Sequence, residues 1–188
     1  MKFFTVVIIL IFVVSCGLTD TSIFTEKDKI EIPEIEGKWL TEHDSIVWEL
    51  KKYSNKNYKI FKYIENDTIH IYNANFITMN NQFFIDLQMM PLHNDIKMSK
   101  IHVIGKITFS SSNLQFYVLD NEYLVKKNKT ISHRKEYGTS DYNLGPTYIL
   151  NEPTKKLQEL IMKYSNDPQV FQYFLNFKRY QKIKIPQD

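Results

Sequence analysis

The run Thr68-Ile69-His70-Ile71-Tyr72-Asn73-Ala74-Asn75-Phe76-Ile77-Thr78, followed by Met79-Asn80-Asn81 and then Gln82-Phe83-Phe84-Ile85-Asp86-Leu87-Gln88, decides the fold class. Two segments rich in β-branched and aromatic residues flank an Asn-Asn pair. Such residues suit a pleated, half-buried surface. Asparagine tolerates the left-handed backbone that a tight hairpin needs. The second segment places Phe83, Ile85 and Leu87 on one side and Asp86 on the other, because alternate strand residues point to opposite faces. The stretch therefore predicts an antiparallel hairpin.

Working outward, the same alternation recurs. Ser45 to Leu50 puts Ile46, Trp48 and Leu50 on one face, and Asn57 to Ile64 forms another strand candidate. Ile101 to Phe109 alternates through Val103, Gly105 and Ile107. Residues Ser110 to Asn113 turn, and Leu114, Phe116 and Val118 alternate again. Period-2 segments separated by short turns predict an antiparallel meander. A meander must close or be covered. The expected fold is mainly β (α+β): a curved sheet or partial barrel.

The last third changes character. Asp120 is placed to cap a short helix through Tyr123 and Leu124, and Lys126 to Gly145 reads as a polar connection. Residues 152–164 predict an amphipathic helix, with Pro153 in the first turn and Leu157, Leu160, Ile161 and Tyr164 on one face. Asn166-Asp167-Pro168 stops it. A short closing strand is expected from Phe174 to Ile183.

Length and composition set bounds. At 188 residues, 43% hydrophobic and 24% charged, the chain suits one folded domain. The formal charge is +3, and loss of Lys2 with a leader lowers it to +2. That is too small, and the lysines too scattered, for a nucleic-acid partner. Ala74 is the sole alanine while Lys, Ile and Asn abound, which points to an AT-rich genome. The lone cysteine excludes an internal disulfide and a cysteine metal cage.

At the N-terminus, Lys2 precedes an apolar run from Phe3 to Val14, then Ser15-Cys16-Gly17. This is the pattern of a secretory signal, and the run is shorter than the roughly 20 residues a spanning helix needs. Val13-Val14-Ser15-Cys16 resembles the bacterial lipobox. The resemblance implies a signal peptide over residues 1–15 and diacylglycerol on Cys16, making the chain a lipoprotein held at a membrane of the cell envelope. Each buried methylene contributes about 0.8 kcal/mol, so two or three acyl chains anchor durably. In enteric-type sorting, Gly17 rather than Asp favours the outer membrane. Residues 16–34 are expected to be a lipidated, flexible tether, and 35–188 a single globular domain.

Four landmarks resemble a group of bacterial lipoproteins with a lipocalin-like β domain. Gly37-Lys38-Trp39 opens the first strand as Gly-x-Trp does in lipocalin-like barrels. Phe83-Phe84-Ile85-Asp86-Leu87 precedes Pro91-Leu92-His93. Leu114 to Leu124 supplies a strand and short helix. Thr154, Leu157, Gln158, Asp167, Pro168 and Phe171 match a helix and its ending. The chain departs from the group at Asn151, where Thr is usual. The resemblance implies a fold and an anchor; it brings no activity.

The search for chemistry yields little. His43, His70, His93, His102 and His133 show no His-x-x-x-His or His-Glu-x-x-His spacing, so no metal site or other cofactor is expected. Ser132-His133 are adjacent and would point to opposite strand faces. Glu65 and Asp67 flank a turn, and the five glycines stand apart. The strands are crowded with aromatics. These fill a core, or else Trp48, Phe61, Tyr72 and Asp86 line a ligand cavity. Two functional classes follow. One is a lipid-anchored binding or structural module, partnered by the membrane and by a small apolar ligand or an envelope protein. The alternative is an envelope hydrolase acting on a cell-wall or lipid component, using groups from His93, His133, Asp86 and Glu122.

Overall fold

A computed structural model describes residues 17–42, 46–64, 67–90, 101–137 and 146–180. Its elements, in chain order, begin with β1 (Leu18–Thr19), β2 (Lys29–Ile30), a 3-10 turn (Pro33–Ile35) and β3 (Gly37–Thr41). Next come β4 (Val47–Ser54), β5 (Asn57–Ile64), β6 (Asp67–Met79), β7 (Gln82–Met90), β8 (His102–Phe109) and β9 (Asn113–Leu119). Then follow α1 (Asn121–Lys127), β10 (His133–Tyr137), β11 (Pro146–Leu150), α2 (Thr154–Tyr164) and β12 (Phe171–Arg179).

Strands β3 to β9 form the predicted meander, each antiparallel to the next. The turn Asn80-Asn81 carries φ of 50° and 58°, the left-handed values anticipated for that hairpin. β12 then pairs with β9 on one edge and β3 on the other. The result is a closed eight-stranded antiparallel barrel, β3–β9 plus β12, rather than a partial one. Closure leaves no unpaired edge in the barrel wall. The expected polar connection over 126–145 instead contains β10, which pairs with β11. β11 runs parallel to β1, and β1 pairs with the start of β8. These three strands extend the sheet where β9 turns away into α1.

Two cores result. The first fills the barrel, with Trp39, Leu50, Tyr58, Phe76, Ile85 and Ile107 among its buried residues. Gly105 makes room there for the Phe116 ring: a Cβ on Gly105 would lie 2.1 Å from the ring. Ala74, the only alanine, is fully buried opposite Tyr58 and Leu87. The second core lies outside the wall. Phe84 and Ile104 from the barrel pack there with Ile23, Leu124, Leu157 and Ile161. α2 turns Leu157, Leu160, Ile161 and Tyr164 into this layer. Asp120 caps α1, its side chain accepting from Tyr123 N.

The tether expected over residues 16–34 needs correcting from Gly17 onward. Gly17 O accepts from Ile104 N at 2.8 Å, Thr19 is buried, and Ile23 is fully buried in the second core. β2 pairs with β6 beyond the point where β5 begins. The segment is polar in composition, but Ile23 and Ile32 are buried, and Phe24 and Ile30 pack against the cores. A Cβ on Gly17 would approach Leu119 Cβ to 2.5 Å, so close packing requires glycine there.

One end of the barrel is sealed. The 3-10 turn lies across it with Ile32 and Ile35 buried. Trp39 Nε1 donates to Ile35 O at 2.7 Å, and Ile32 N donates to Tyr58 OH at 2.9 Å. Arg179, the register partner of Trp39, places its guanidinium 4.2 Å from the indole centroid. It donates to Glu34 O at 2.6 Å and also to Glu36 O. The arginine thus ties the last strand to the first and to the plug. Replacing Arg179 with Ala is expected to cost about 2 kcal/mol, from lost charge-assisted hydrogen bonds and the ring contact. Lys should restore only part, since one ammonium lacks the planar fork that reaches two carbonyls. Urea midpoints of the three proteins check this, and a Lys variant as stable as wild type would contradict it.

Candidate functional site

Two places in the described residues concentrate polar groups among apolar ones: the outer face of β7–β8, and the barrel end opposite the plug.

Asp86 lies on β7 between Ile85 and Leu87, which face the barrel interior. Alternation therefore sends Asp86 outward, against the expectation of a polar group inside a half-open barrel. It is not an exposed strand residue either, being only 1% exposed. The folded segment after Gly17 covers it. Ser22 Oγ donates to its Oδ2 at 2.9 Å, Ile23 N donates to the same oxygen at 3.0 Å, and His102 Nδ1 donates to Oδ1 at 2.6 Å. Asp86 pairs with Ile104 in the β7–β8 register, so His102 is its diagonal neighbour on one face. α2 holds the covering segment from the other side. Thr154 Oγ1 donates to Ser22 O at 2.9 Å, and Gln158 Nε2 donates to Ile23 O at 2.8 Å.

A serine, a histidine and an aspartate thus meet, but in the wrong order for acyl transfer. Such chemistry needs the serine hydroxyl bonded to the histidine, with the acid on the far ring nitrogen. Here the carboxylate stands between them and accepts a hydrogen bond from each. Ser22 is held as a donor to Asp86 and is not poised against a base. The arrangement is a latch for the N-terminal segment. Of the other groups named for an enzyme, Glu122 pairs with Lys126 on α1 at 2.6 Å, and His133 Nδ1 bonds Ile131 O at 2.9 Å. Neither joins Asp86. His93 and His43 lie outside the described residues, as does Cys16. No cluster of three or more metal-ligating side chains occurs among the described residues.

The barrel end opposite the plug carries a different group. Trp48, Lys62, His70 and Tyr72 are inward-facing neighbours across β4, β5 and β6, and all are half-buried. Trp48 and Tyr72 stack with centroids 5.8 Å apart and planes at 8°. Lys62 Nζ lies 5.6 Å from the Trp48 ring, and His70 approaches Tyr72 at 6.1 Å. Trp48 Nε1 is buried without a hydrogen-bond partner among the described residues. Burial, and then the nearby Lys62 charge, hold the His70 imidazole below its usual 6.5.

Below this ring the interior narrows to a cavity of about 40 Å³ with a wholly apolar wall, including Trp48, Leu87, Leu175 and Phe177. That is well under the roughly 150 Å³ that admits a benzene. Of the four residues expected to line a cavity, only Trp48 does so. Tyr72 stands at the rim, Phe61 stacks against Tyr63 at 6.5 Å, and Asp86 is outside the wall. The aromatics mostly fill the core.

No protein-family profile, characterised sequence or solved structure matches the chain.

Sequence reading singled out Asp86 and missed its partners. Ser22 stands in a stretch of Thr, Ser and Asp that reads as linker, and His102 is one residue of a strand whose other face is apolar. Only the β7–β8 register brings His102 to Asp86.

Removing the Asp86 carboxylate (Asp86→Ala) leaves Ile23 N buried and unpaired, and should cost on the order of 3 kcal/mol. The segment should loosen before the barrel does. Faster trypsin cleavage after Lys27, and faster exchange of the Ile23 amide than of barrel amides, would show it; uniform loosening would contradict the latch.

Stability should also fall with acid. Between its depressed folded value and 6.5, His70 stays neutral in the fold while the unfolded chain takes up a proton. Burial raises the Glu152 carboxyl, but hydrogen bonds from Lys156 and Ser132 N outweigh it and leave the group below 4.5. Its contribution is complete above 4.5 and disappears as pH drops through the folded value. Denaturant titrations at several pH values should therefore show a decline beginning near 6.5 and steepening below 4.5. A His70 ring titrating at or above 6.5 by NMR would contradict the first part.

Proposed function

We propose that this chain is an envelope lipoprotein, anchored through lipid on Cys16, whose lipocalin-like barrel works by binding at its mouth. The lipobox resemblance supports the anchor. The Gly37-Lys38-Trp39 opening of the first barrel strand and the closed eight-stranded antiparallel barrel support the lipocalin-like description.

The observation that carries the binding reading is Trp48. Its ring lines the apolar interior, and its indole N–H is buried with no acceptor among the described residues. An unpaired buried donor costs about 1–3 kcal/mol, and an incoming acceptor at the mouth would relieve that cost. The stacked Tyr72 face, with Lys62 and His70 beside it, suits a small, partly apolar ligand bearing an acceptor such as a carboxylate. The interior is too full for a ligand of ordinary size, which commonly needs about 300 Å³ or more. Contact is therefore at the rim. The hydrolase alternative loses support because Ser22 is bonded to Asp86 instead of to His102. The outer membrane is the preferred location, on Gly17, although packing against Leu119 gives that glycine a second reason.

The chain has two tryptophans, and Trp39 is fully buried at the sealed end. Titration with decanoate should change the emission of Trp48 while Trp39 serves as an internal reference. Trp48→Phe should abolish the response, and a response that survives it would place binding elsewhere. Metabolic labelling with a fatty-acid probe, wild type against Cys16→Ala, tests the anchor: a mutant that still labels removes it.

A further inference from the structure

The outer wall of the barrel is concave near the plugged end. Arg179 N donates to Ser112 O at 2.8 Å, which brings the β8–β9 turn to that end. Thr108, Gln115 and Asn176 stand in register across β8, β9 and β12. Their chain neighbours Ile107, Phe116 and Phe177 belong to the barrel core, so alternation turns this row outward. A bulge between Tyr173 and Leu175 lies just beyond it, and bulges bend and twist a strand. With Phe109, Ser110 and Asn113, the row lines an open groove of about 440 Å³. Small-molecule sites commonly span roughly 300–1,000 Å³.

The fold does not use up the polar groups of this groove. Asn176 Oδ1 is buried and has no hydrogen-bond partner among the described residues. A buried acceptor left so costs free energy that an incoming donor recovers. Gln115, the register partner of Asn176, is held through its oxygen: Oε1 accepts from Thr108 Oγ1 at 2.9 Å and from Tyr117 OH at 3.2 Å. Its amide N–H groups remain as donors. An unfilled acceptor and unfilled donors therefore stand side by side. None of the six lining residues is charged. Lys178 beside them is paired with Glu42 at 3.0 Å, and Lys106 is drawn to Ser165 O at 2.8 Å. An ionic ligand finds no counter-charge in the groove. A peptide strand finds no free edge, because β8, β9 and β12 are each paired on both sides. At the margin Tyr173 is 54% exposed and meets Tyr117 edge to face at 5.8 Å.

We infer that this groove binds a neutral saccharide, with Asn176 and Gln115 taking its hydroxyls and Tyr173 taking a ring face. Adjacent hydroxyls both donate and accept at close spacing, which matches an acceptor and donors on neighbouring strands. The C–H face of a sugar ring packs on the electron-rich face of an aromatic ring. An uncharged polyol is also the ligand that an uncharged polar groove desolvates at least cost. The site lies on the outer wall toward the plug, apart from Trp48, and depends neither on binding there nor on lipid at Cys16.

The test titrates the full chain with maltohexaose and with the hexamer of N-acetylglucosamine. At least one should bind saturably by calorimetry, and amide shifts by NMR should concentrate at Thr108, Gln115 and Asn176. Tyr173→Ala and Asn176→Ala should each weaken binding about tenfold, the scale of one lost ring contact or hydrogen bond. Tyr173→Phe, which keeps the ring, and Tyr53→Ala, on β4, should bind as wild type does. Because the shifts are read on the unmutated protein, the location is tested even where a variant folds poorly. Failure of both sugars to bind the wild-type chain overturns the saccharide reading, as does binding of a charged ligand or a peptide at these amides in their place. Shifts centred elsewhere, or binding that survives Tyr173→Ala combined with Asn176→Ala, overturn the site.

Discussion

β12 hydrogen-bonds to β9 along one edge and to β3 along the other, and this double pairing turns a meander into a barrel. Everything else depends on it. An open sheet of eight strands would expose two edges and both faces to water. Closed, it gains an interior that needs no covering layer. The cost is a precise register between chain ends more than 130 residues apart. Arg179 meets that cost by reaching from β12 across the Trp39 ring to the carbonyls of the plug.

Closure solves the inner face and leaves the outer one. Along β7 both faces are buried, since Phe84 and Asp86 point out while Ile85 and Leu87 point in. The outer apolar residues need a roof, which α2 and the folded N-terminal segment supply. A roof made partly of irregular chain brings polar backbone into a buried place, where it must be satisfied. Asp86 takes Ile23 N, and Thr154 and Gln158 take the carbonyls of Ser22 and Ile23. Asp86 is buried for that reason, and its charge is distributed over three donors. The same demand explains why a constellation that resembles catalytic machinery is arranged as a fastening.

Docking the segment has a consequence for position. A polar linker would let the barrel wander from the residues that precede it. A segment stitched into the sheet up to Gly17 fixes the barrel relative to Cys16. Orientation then becomes a property of the fold. It follows that Gly17 and the latch at Asp86 are mechanically continuous through β1 and β8.

The sequence by itself determined the local structure. Alternation in 46–118 marked the neighbourhoods of six of the eight barrel strands, Asn80-Asn81 marked the hairpin, and the 3.6-residue spacing of Leu157, Leu160, Ile161 and Tyr164 marked the buried face of α2. These are properties of a few consecutive residues, so a few residues suffice to read them. Tertiary structure alone decided the rest. β1, β2 and β10 are short or polar and become strands only because partners are waiting for them. The candidate sites are of the same kind. Asp86 and His102 are joined by register between strands, and Ser22 reaches them from 64 residues away. Trp48, Lys62, His70 and Tyr72 meet because three strands align. Alternation tells which residues share a face. Which face is inside, and what covers the other, depends on long-range pairing that no local pattern encodes.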